Sequence, residues 1–592
     1  MNVKFPVVGT SVDVPEGQTI AQACEAAGVP LNLVCGGKGT CKKCLVRIRE
    51  GGESKEVLAC QTLVSDNMQV FVSRERAASQ ILETSDNSAL PFNPSVKRFA
   101  LSYADLNTPM CTYDMDVIRR LLPERVAPLN YDALKRLADV YFLEDYTTLN
   151  VIVDKDQIID FIPSNEPMPI YGVAFDIGTT SVVGYLYDLT NGCLINQAST
   201  LNKQIAYGDD VISRIDYAAS SPEQLEKIHQ SILDTICDII TNLCDKSDVD
   251  GNLIYQTVYC GNSTMSHLFL GLNPIHLGMA PFLGYTKDAV ILPASRFNLP
   301  VNPLGSVTFM PLLGGFVGAD TTAVLLSLPR DRQMRLMIDL GTNGEIAVGH
   351  SDRWFVASTA CGPALEGAGI TMGMRGTEGA IEKVWCESGT IRVKVIGNSA
   401  PKGFCGSGII DTIAMLFKEK LIVSRGNFIK GEQLENHPFK DRFGTDDSGQ
   451  RYFIIVPAAD NPEGKDIIIT QKDIRAVQLA KAAIYTGCCL LMENYGIKPK
   501  ELTEIVIAGA FGNYIDVANA QAIGLLPLIE NVPVRSIGNG AGTGAQLYLL
   551  SQEEEAFCKH LPEITTHIEL ATDPNFTSTY MMNTQFGCEV ME

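Results

Sequence analysis

Phe175-Asp176-Ile177-Gly178-Thr179-Thr180-Ser181 decides how the chain is read, because it returns as Ile338-Asp339-Leu340-Gly341-Thr342-Asn343-Gly344. In each copy an apolar strand runs into a tight turn that carries Asp, then Gly, then a small polar residue. Such a turn aims backbone N–H groups at a phosphate while the Asp reaches a hydrated divalent cation. One copy is a weak signal. A second copy, which continues to Glu345, supplies an opposing clamp, so that two facing loops grip the β- and γ-phosphates. Two copies about one domain length apart predict two similar lobes. From Tyr171 onward apolar strands alternate with helical segments, the pattern of an α/β architecture.

Further elements lie in order around the repeat. Ile505-Val506-Ile507-Ala508-Gly509-Ala510-Phe511-Gly512 reads as a buried strand ending in a glycine turn. Gly314-Gly315-Phe316-Val317-Gly318-Ala319-Asp320 and Gly538-Asn539-Gly540-Ala541-Gly542 are glycine runs that let two helices cross closely. These five elements resemble the actin/Hsp70/hexokinase superfamily, also called ASKHA, in which two RNase H-like lobes hold ATP. The resemblance implies that Gly178, Thr179, Thr180, Gly341, Thr342 and Asn343 hold phosphates. Gly509, Ala510, Phe511, Gly512 and Gly540 would lie against the nucleoside, and Asp176 and Asp339 would serve Mg²⁺ and the attacking water. Asp320 and Glu345 are weaker candidates for orienting that water. Three more glycine-rich blocks, Gly261–Met265, Cys361–Gly369 and Gly403–Gly408, suit either cleft linings or tight turns. Cys361 and Cys405 read as small buried residues in preference to ligands of a second cluster.

Residues 1–78 alternate apolar and polar positions, as in Leu45-Val46-Arg47-Ile48-Arg49, with one helical stretch from Gln18 to Ala27. Inside this small β-rich domain sit Cys35-Gly-Gly-Lys-Gly-Thr-Cys41-Lys-Lys-Cys44 and then Cys60. A thiolate-bound 2Fe–2S cluster needs four sulfurs converging from a tight loop and one distant strand or turn. Gly36, Gly37 and Gly39 allow the backbone to wrap that closely and point N–H groups at the sulfurs. A structural zinc site, the competing reading, favours two paired C-x-x-C knuckles, and only one pair is present. The spacing resembles plant-type ferredoxins and fused ferredoxin domains of the β-grasp type, with one extra residue in the first gap. Cys24 reads as a core thiol. Lys38, Lys42, Lys43, Arg47 and Arg49 suit either a solvated loop or the docking of an acidic ferredoxin or flavodoxin donor.

Residues 79–97 turn to Ser, Asn, Asp and Pro and read as a linker. A small α+β unit at 98–166 follows, with nothing that resembles a site. The ATPase domain runs from 167 to 592, with lobes at about 167–330 and 331–592.

A net charge of −21 excludes nonspecific nucleic-acid binding, which needs a positive surface. The stretch from Gly251 to Thr286 has no charged residue. Asn252, Gln256, Asn262, His267, Pro274 and Pro281 interrupt it, so it offers no run of about 20 apolar residues for a membrane. Met1 is followed by no signal-like stretch, and 17 scattered cysteines suit a reducing compartment, so a soluble cytoplasmic protein is expected.

A 2Fe–2S domain, a small middle domain and an actin-like ATPase resemble, over essentially the whole chain, the reductive activators of corrinoid enzymes. Tyr207-Gly208-Asp209-Asp210-Val211-Ile212-Ser213-Arg214-Ile215 and Cys405–Asp411 belong to the same resemblance. Archaeal relatives carry C-terminal 4Fe–4S motifs; this chain has only Cys588 near its end, which places it with the bacterial type. The resemblance implies a corrinoid protein as acceptor, whose inactive Co(II) is returned to Co(I) by one electron with ATP hydrolysis. A reduced ferredoxin or flavodoxin would be the donor, and a homodimer the assembly. A small-molecule kinase, a dehydratase activator and a chaperone-like ATPase with a redox-sensing cluster are rival readings. The first two leave the ferredoxin domain unexplained.

Overall fold

The computed structural model describes the chain except residues 7–9, 16, 28, 30–43, 51–52, 66–67, 72–89, 107–113, 124–130, 141–145, 342, 510–511, 588–589 and 592. The described residues form two compact units. One takes Met1–Arg76, Asn87–Ser327 and Gly542–His560; the other takes Leu328–Ala541 and Leu561–Glu592.

Alternation in the N-terminal segment becomes a five-stranded sheet. Asn2–Phe5 pairs antiparallel with Thr10–Asp13 and parallel with Met68–Phe71, and Leu45–Glu50 and Glu53–Leu58 complete the far side. The helix Ile20–Ala26 lies on this sheet, and Val3, Phe5, Ile20, Ala23, Ile48 and Val70 close the core. A mixed sheet grasping one helix is the β-grasp arrangement. Cys24 is buried in that core, and burial pushes its thiol up to about 12, as suits an inert packing residue.

The middle segment is an antiparallel meander of Val96–Ser102, Thr148–Asp154 and Gln157–Ser164, covered by the helices Asp114–Leu121 and Tyr131–Val140. It is tied to the strand Ile254–Gly261 of its own unit. Buried Asp160 accepts from Tyr255 Oη at 2.7 Å and from Arg136 Nε at 3.1 Å.

Two six-stranded sheets carry the repeated motif. In the first, Cys193–Leu201, Ser181–Asp188 and Tyr171–Ile177 form an antiparallel meander. Ile254–Gly261 and Ser306–Phe309 continue it in parallel, and Val290–Pro293 closes the edge. All eight residues of Ile254–Gly261 are buried, the mark of a strand covered on both faces. The second sheet repeats the plan. Arg335–Leu340, Gly344–His350 and Arg353–Thr359 form the meander, and Glu504–Ala508 and Val534–Ser536 add in parallel. The internal echo in sequence is therefore an echo in topology.

Long helices cover these sheets because their ends are well marked. Ser221 Oγ accepts from the Gln224 N–H ahead of Pro222–Ser247, and Pro222 occupies the first turn. Thr470 and Asp473 form a reciprocal capping box on Gln471–Tyr495, which stops at Gly496 with φ +89°. Among the described residues this helix alone is long and apolar enough to cross a membrane, yet 72% of its most apolar stretch is buried inside the protein.

The sequence runs the second lobe unbroken to residue 592, whereas the chain returns to the first unit at Gly542–His560. The reasons are local fits. Tyr187 Oη donates to Gln546 Oε1 at 2.5 Å, Lys155 pairs with Glu555 at 2.7 Å, and Leu549 packs on Gly172. The close helix crossing predicted from the glycine runs exists, but at Gly544, where a Cβ would come within 1.9 Å of the Ala323 carbonyl oxygen.

Candidate functional site

Cys44 stands at the mouth of Leu45–Glu50, and Cys60 in the turn after Glu53–Leu58. The Ala59 N–H donates to the Cys44 carbonyl at 2.9 Å and pins these ends together. Their sulfurs lie 3.2 Å apart, both buried. That is well beyond an S–S bond of about 2.05 Å, so they are two converging thiols. Gln61 Nε2 points at the Cys60 sulfur from 3.7 Å, the kind of N–H donor that stabilises a reduced cluster. This soft, buried donor pair fits an iron–sulfur cluster. Cys35 and Cys41 lie outside the described residues.

In the first unit Asp176 ends its strand beside Cys260 of the neighbouring parallel strand, with Cys260 Sγ 3.9 Å from Asp176 Oδ1. Asp320 opens the helix Ala319–Ser327 close by. Burial pushes its carboxyl up to about 6, Asp176 adds to the rise, and the Thr321 N–H, bonded at 2.7 Å, opposes it. Two carboxylates that feel each other's charge suit a divalent cation, which would offset their repulsion. Cys260 lies beside Asp176, and its thiol is pushed well up by burial and by the charge of Asp176 and Asp320.

The turn Gly178–Thr180 is held from behind. Asn202 Nδ2 donates to the Gly178 carbonyl at 2.9 Å, Arg214 Nη2 to the Thr179 carbonyl at 2.5 Å, and the Asn202 N–H to the Thr180 carbonyl at 3.0 Å. Gly178 is required here because a Cβ would stand 2.7 Å from the Ser181 carbonyl oxygen. Asn262 Nδ2 donates to Thr179 Oγ1 at 3.1 Å, and Gly318 lets its loop pass against the Asn262 backbone. The Gly261–Met265 block is thereby brought to the Gly178–Thr180 turn.

In the second unit Asp339 pairs across the meander with buried Glu345, so the two side chains share a face. The Gly341 N–H donates to the Asn343 carbonyl at 3.2 Å, which closes the turn; Thr342 lies outside the described residues. The Cys361–Gly369 block reaches the same turn: Cys361 Sγ lies 3.6 Å from the Gly341 carbonyl, and Glu366 is near enough that a Gly341 Cβ would stand 3.8 Å from its Oε1. Burial raises the Cys361 thiol, with Glu345 and Glu366 contributing. Cys361 and Cys405 are both buried.

Gly509 follows Glu504–Ala508 with φ +93°, and a Cβ there would stand 2.8 Å from Asp339 Oδ1. Only glycine allows both the left-handed turn and this approach. The Gly512 N–H donates back to the Gly509 carbonyl at 2.9 Å; Ala510 and Phe511 lie outside the described residues. Next to this turn opens a cavity of about 610 Å³ lined by Glu382, Lys383, Lys394, Ser407, Tyr514 and Asp516. Ser407 brings the Gly403–Gly408 block to it, at the start of the helix Gly406–Lys418. Gly540 begins the helix Gly540–Leu550 with a bond to the Gly538 carbonyl.

Residues 1–75 match a 2Fe–2S iron–sulfur cluster binding domain, residues 171–333 the RACo middle region, and residues 333–592 the C-terminal ASKHA domain of RACo. The chain is 69% identical over its full length, and over all of the relative, to the corrinoid activation enzyme RamQ of Eubacterium limosum. The chain belongs to the RACo family. The solved structure of a reductive activator for corrinoid, iron–sulfur protein covers 99% of this RACo-family chain and 98% of its own, at 30% identity and a TM-score of 0.75. A more distant relative is the Co(II) methylated amine-specific corrinoid protein reductase of Methanosarcina barkeri. It is 25% identical over 71% of this chain and 78% of its own.

Proposed function

We propose that this protein passes single electrons to a corrinoid protein, reducing inactive Co(II) to Co(I), and hydrolyses ATP to make that transfer possible. The observation that carries the reading is the presence in one chain of a converging thiol pair in a ferredoxin fold and a duplicated strand–turn–strand unit with a glycine in each turn. Kinship over the full length with corrinoid activators supports it.

A 2Fe–2S cluster held by Cys35, Cys41, Cys44 and Cys60 would supply a one-electron carrier near −400 mV, the range of plant-type centres. Arg47, Arg49 and Lys55, exposed on the two strands next to Cys44 and Cys60, suit an acidic ferredoxin- or flavodoxin-type donor. Asp176 and Asp320 are read as the seat of Mg²⁺, the amides of Thr179 and Thr180 as phosphate donors, and the cavity beside Gly509 as the nucleoside contact.

ATP is needed because cobalt(I) lies below such a centre, and each 100 mV uphill costs about 2.3 kcal/mol per electron. A nucleotide bound in another domain leaves the electron's energy at the thiolates unchanged. It acts instead on the acceptor complex, and only to the extent that nucleotide changes the affinity for the Co(II) form.

The test is anaerobic absorption spectroscopy of the chain with reductant and a Co(II) corrinoid protein. Co(I) is expected to accumulate with ATP and to stay near background without it. A phosphorylated small molecule in place of Co(I) would establish the kinase reading instead.

A further inference from the structure

Arg214 is wholly buried and makes four contacts: Nε to the Gly208 carbonyl at 2.8 Å, Nη1 to Gln204 Oε1 and Met265 Sδ at 3.4 Å each, and Nη2 to the Thr179 carbonyl at 2.5 Å. None of these partners is a carboxylate. Asp209 and Asp210 lie near enough to favour its charge, but Asp210 is committed to capping the helix Val211–Ser220 through the Ser213 N–H at 2.8 Å. Burial draws the guanidinium down to about 9, which leaves it charged at neutral pH. Asp209 and Asp210 offset part of the cost of this buried cation, and a further anion nearby would offset more.

The contact with Thr179 shows where that anion would sit. In a trans peptide the C=O and the following N–H point in opposite directions. Arg214 draws the Thr179 carbonyl back and so turns the Thr180 N–H the other way. Asn202, drawing on the Gly178 carbonyl at 2.9 Å, does the same for the Thr179 N–H. Neither N–H has an acceptor among the described residues.

We propose that Arg214 is the positioning residue of the phosphate loop: acting through the Thr179 carbonyl, it aims the Thr180 amide, beside the Thr179 amide that Asn202 aims, at the nucleotide's phosphates and supplies the positive field that favours ATP over ADP. The inference rests on reading this loop as a phosphate site. The side chain itself lies behind the loop and forms no bond to the substrate.

The test uses the full-length, cluster-loaded protein and two variants, Arg214→Met and Arg214→Lys, with ATP and ADP binding measured beside the cluster absorption spectrum and Tm. Arg214→Met should weaken ATP binding about tenfold or more, the scale of a lost hydrogen bond to a charged group, and ADP binding less. It should raise KM for ATP more than it lowers kcat. Arg214→Lys, which keeps the charge but not the planar fork, should fall between. A merely structural arginine would lower Tm while the folded fraction bound ATP normally, and that result overturns the proposal. If neither variant folds, hydrogen exchange on the unaltered chain decides: ATP must slow exchange at the Thr179 and Thr180 amides, and unchanged exchange overturns it. Asp176→Asn is the control. If it impairs ATP hydrolysis while Arg214→Met binds ATP normally, this inference alone fails; if neither has an effect, the phosphate-loop reading fails with it.

Discussion

Asp176→Ala is expected to remove the ATP-dependent part of Co(I) formation by a factor of about 100 or more, the scale of losing one preorganised electrostatic group at a reacting phosphate. The cluster spectrum should be unchanged. Asp176 closes its strand between Cys260 and Asp320, where its charge disfavours ionisation of the neighbouring carboxyl. Removing one of two crowded carboxylates relieves repulsion, so the variant should be at least as heat-stable as the parent. Stability and activity thus move in different directions, which separates a lost cation seat from a damaged fold. The measurements are Co(I) formation with and without ATP and a melting curve. Full ATP stimulation in the variant would refute the assignment.

Cys44→Ser should have the opposite signature. Its sulfur is buried, 3.2 Å from that of Cys60, and a hydroxyl is a far harder ligand than a thiolate. Iron and acid-labile sulfide should fall to a small fraction of the parent's, and Co(I) formation should vanish with or without ATP. ATP hydrolysis should persist, since the lobes carrying the repeated turns have their own cores. Iron and sulfide analysis, EPR of the reduced protein and phosphate release are the readouts. A variant that keeps its iron and its full Co(I) activity would show that Cys44 is no ligand.

The architecture was legible because its signals are local. A strand ending in Asp-x-Gly leaves its mark within seven residues, and its second copy at Ile338–Gly344 announces the duplicated lobe. The local geometry of the candidate site was legible only within a single segment, as with the tight turn at Gly178 and the left-handed turn at Gly509. Asn262, Cys260 and Arg214 escaped because their roles arise from distant chain: Asn262 meets Thr179 from 83 residues away, and Arg214 from 35. The blocks containing Asn262 and Arg214 stood out as unusual, but no periodicity tells which group a side chain will reach. The return of Gly542–His560 to the first unit escaped for a similar reason. A helix pattern marks an apolar face, not the partner that will cover it, and here the fit of Gly544 to Ala323 and of Gln546 to Tyr187 decides.

The central claim is that nucleotide works by altering how the chain holds its acceptor. It is tested most directly by titrating the reduced protein against a Co(II) corrinoid protein, once with ATP and once without. Clearly different dissociation constants are expected, with the difference lost in Asp176→Ala. Equal constants in both titrations would contradict it, because a ligand that binds both states alike can drive no electron uphill.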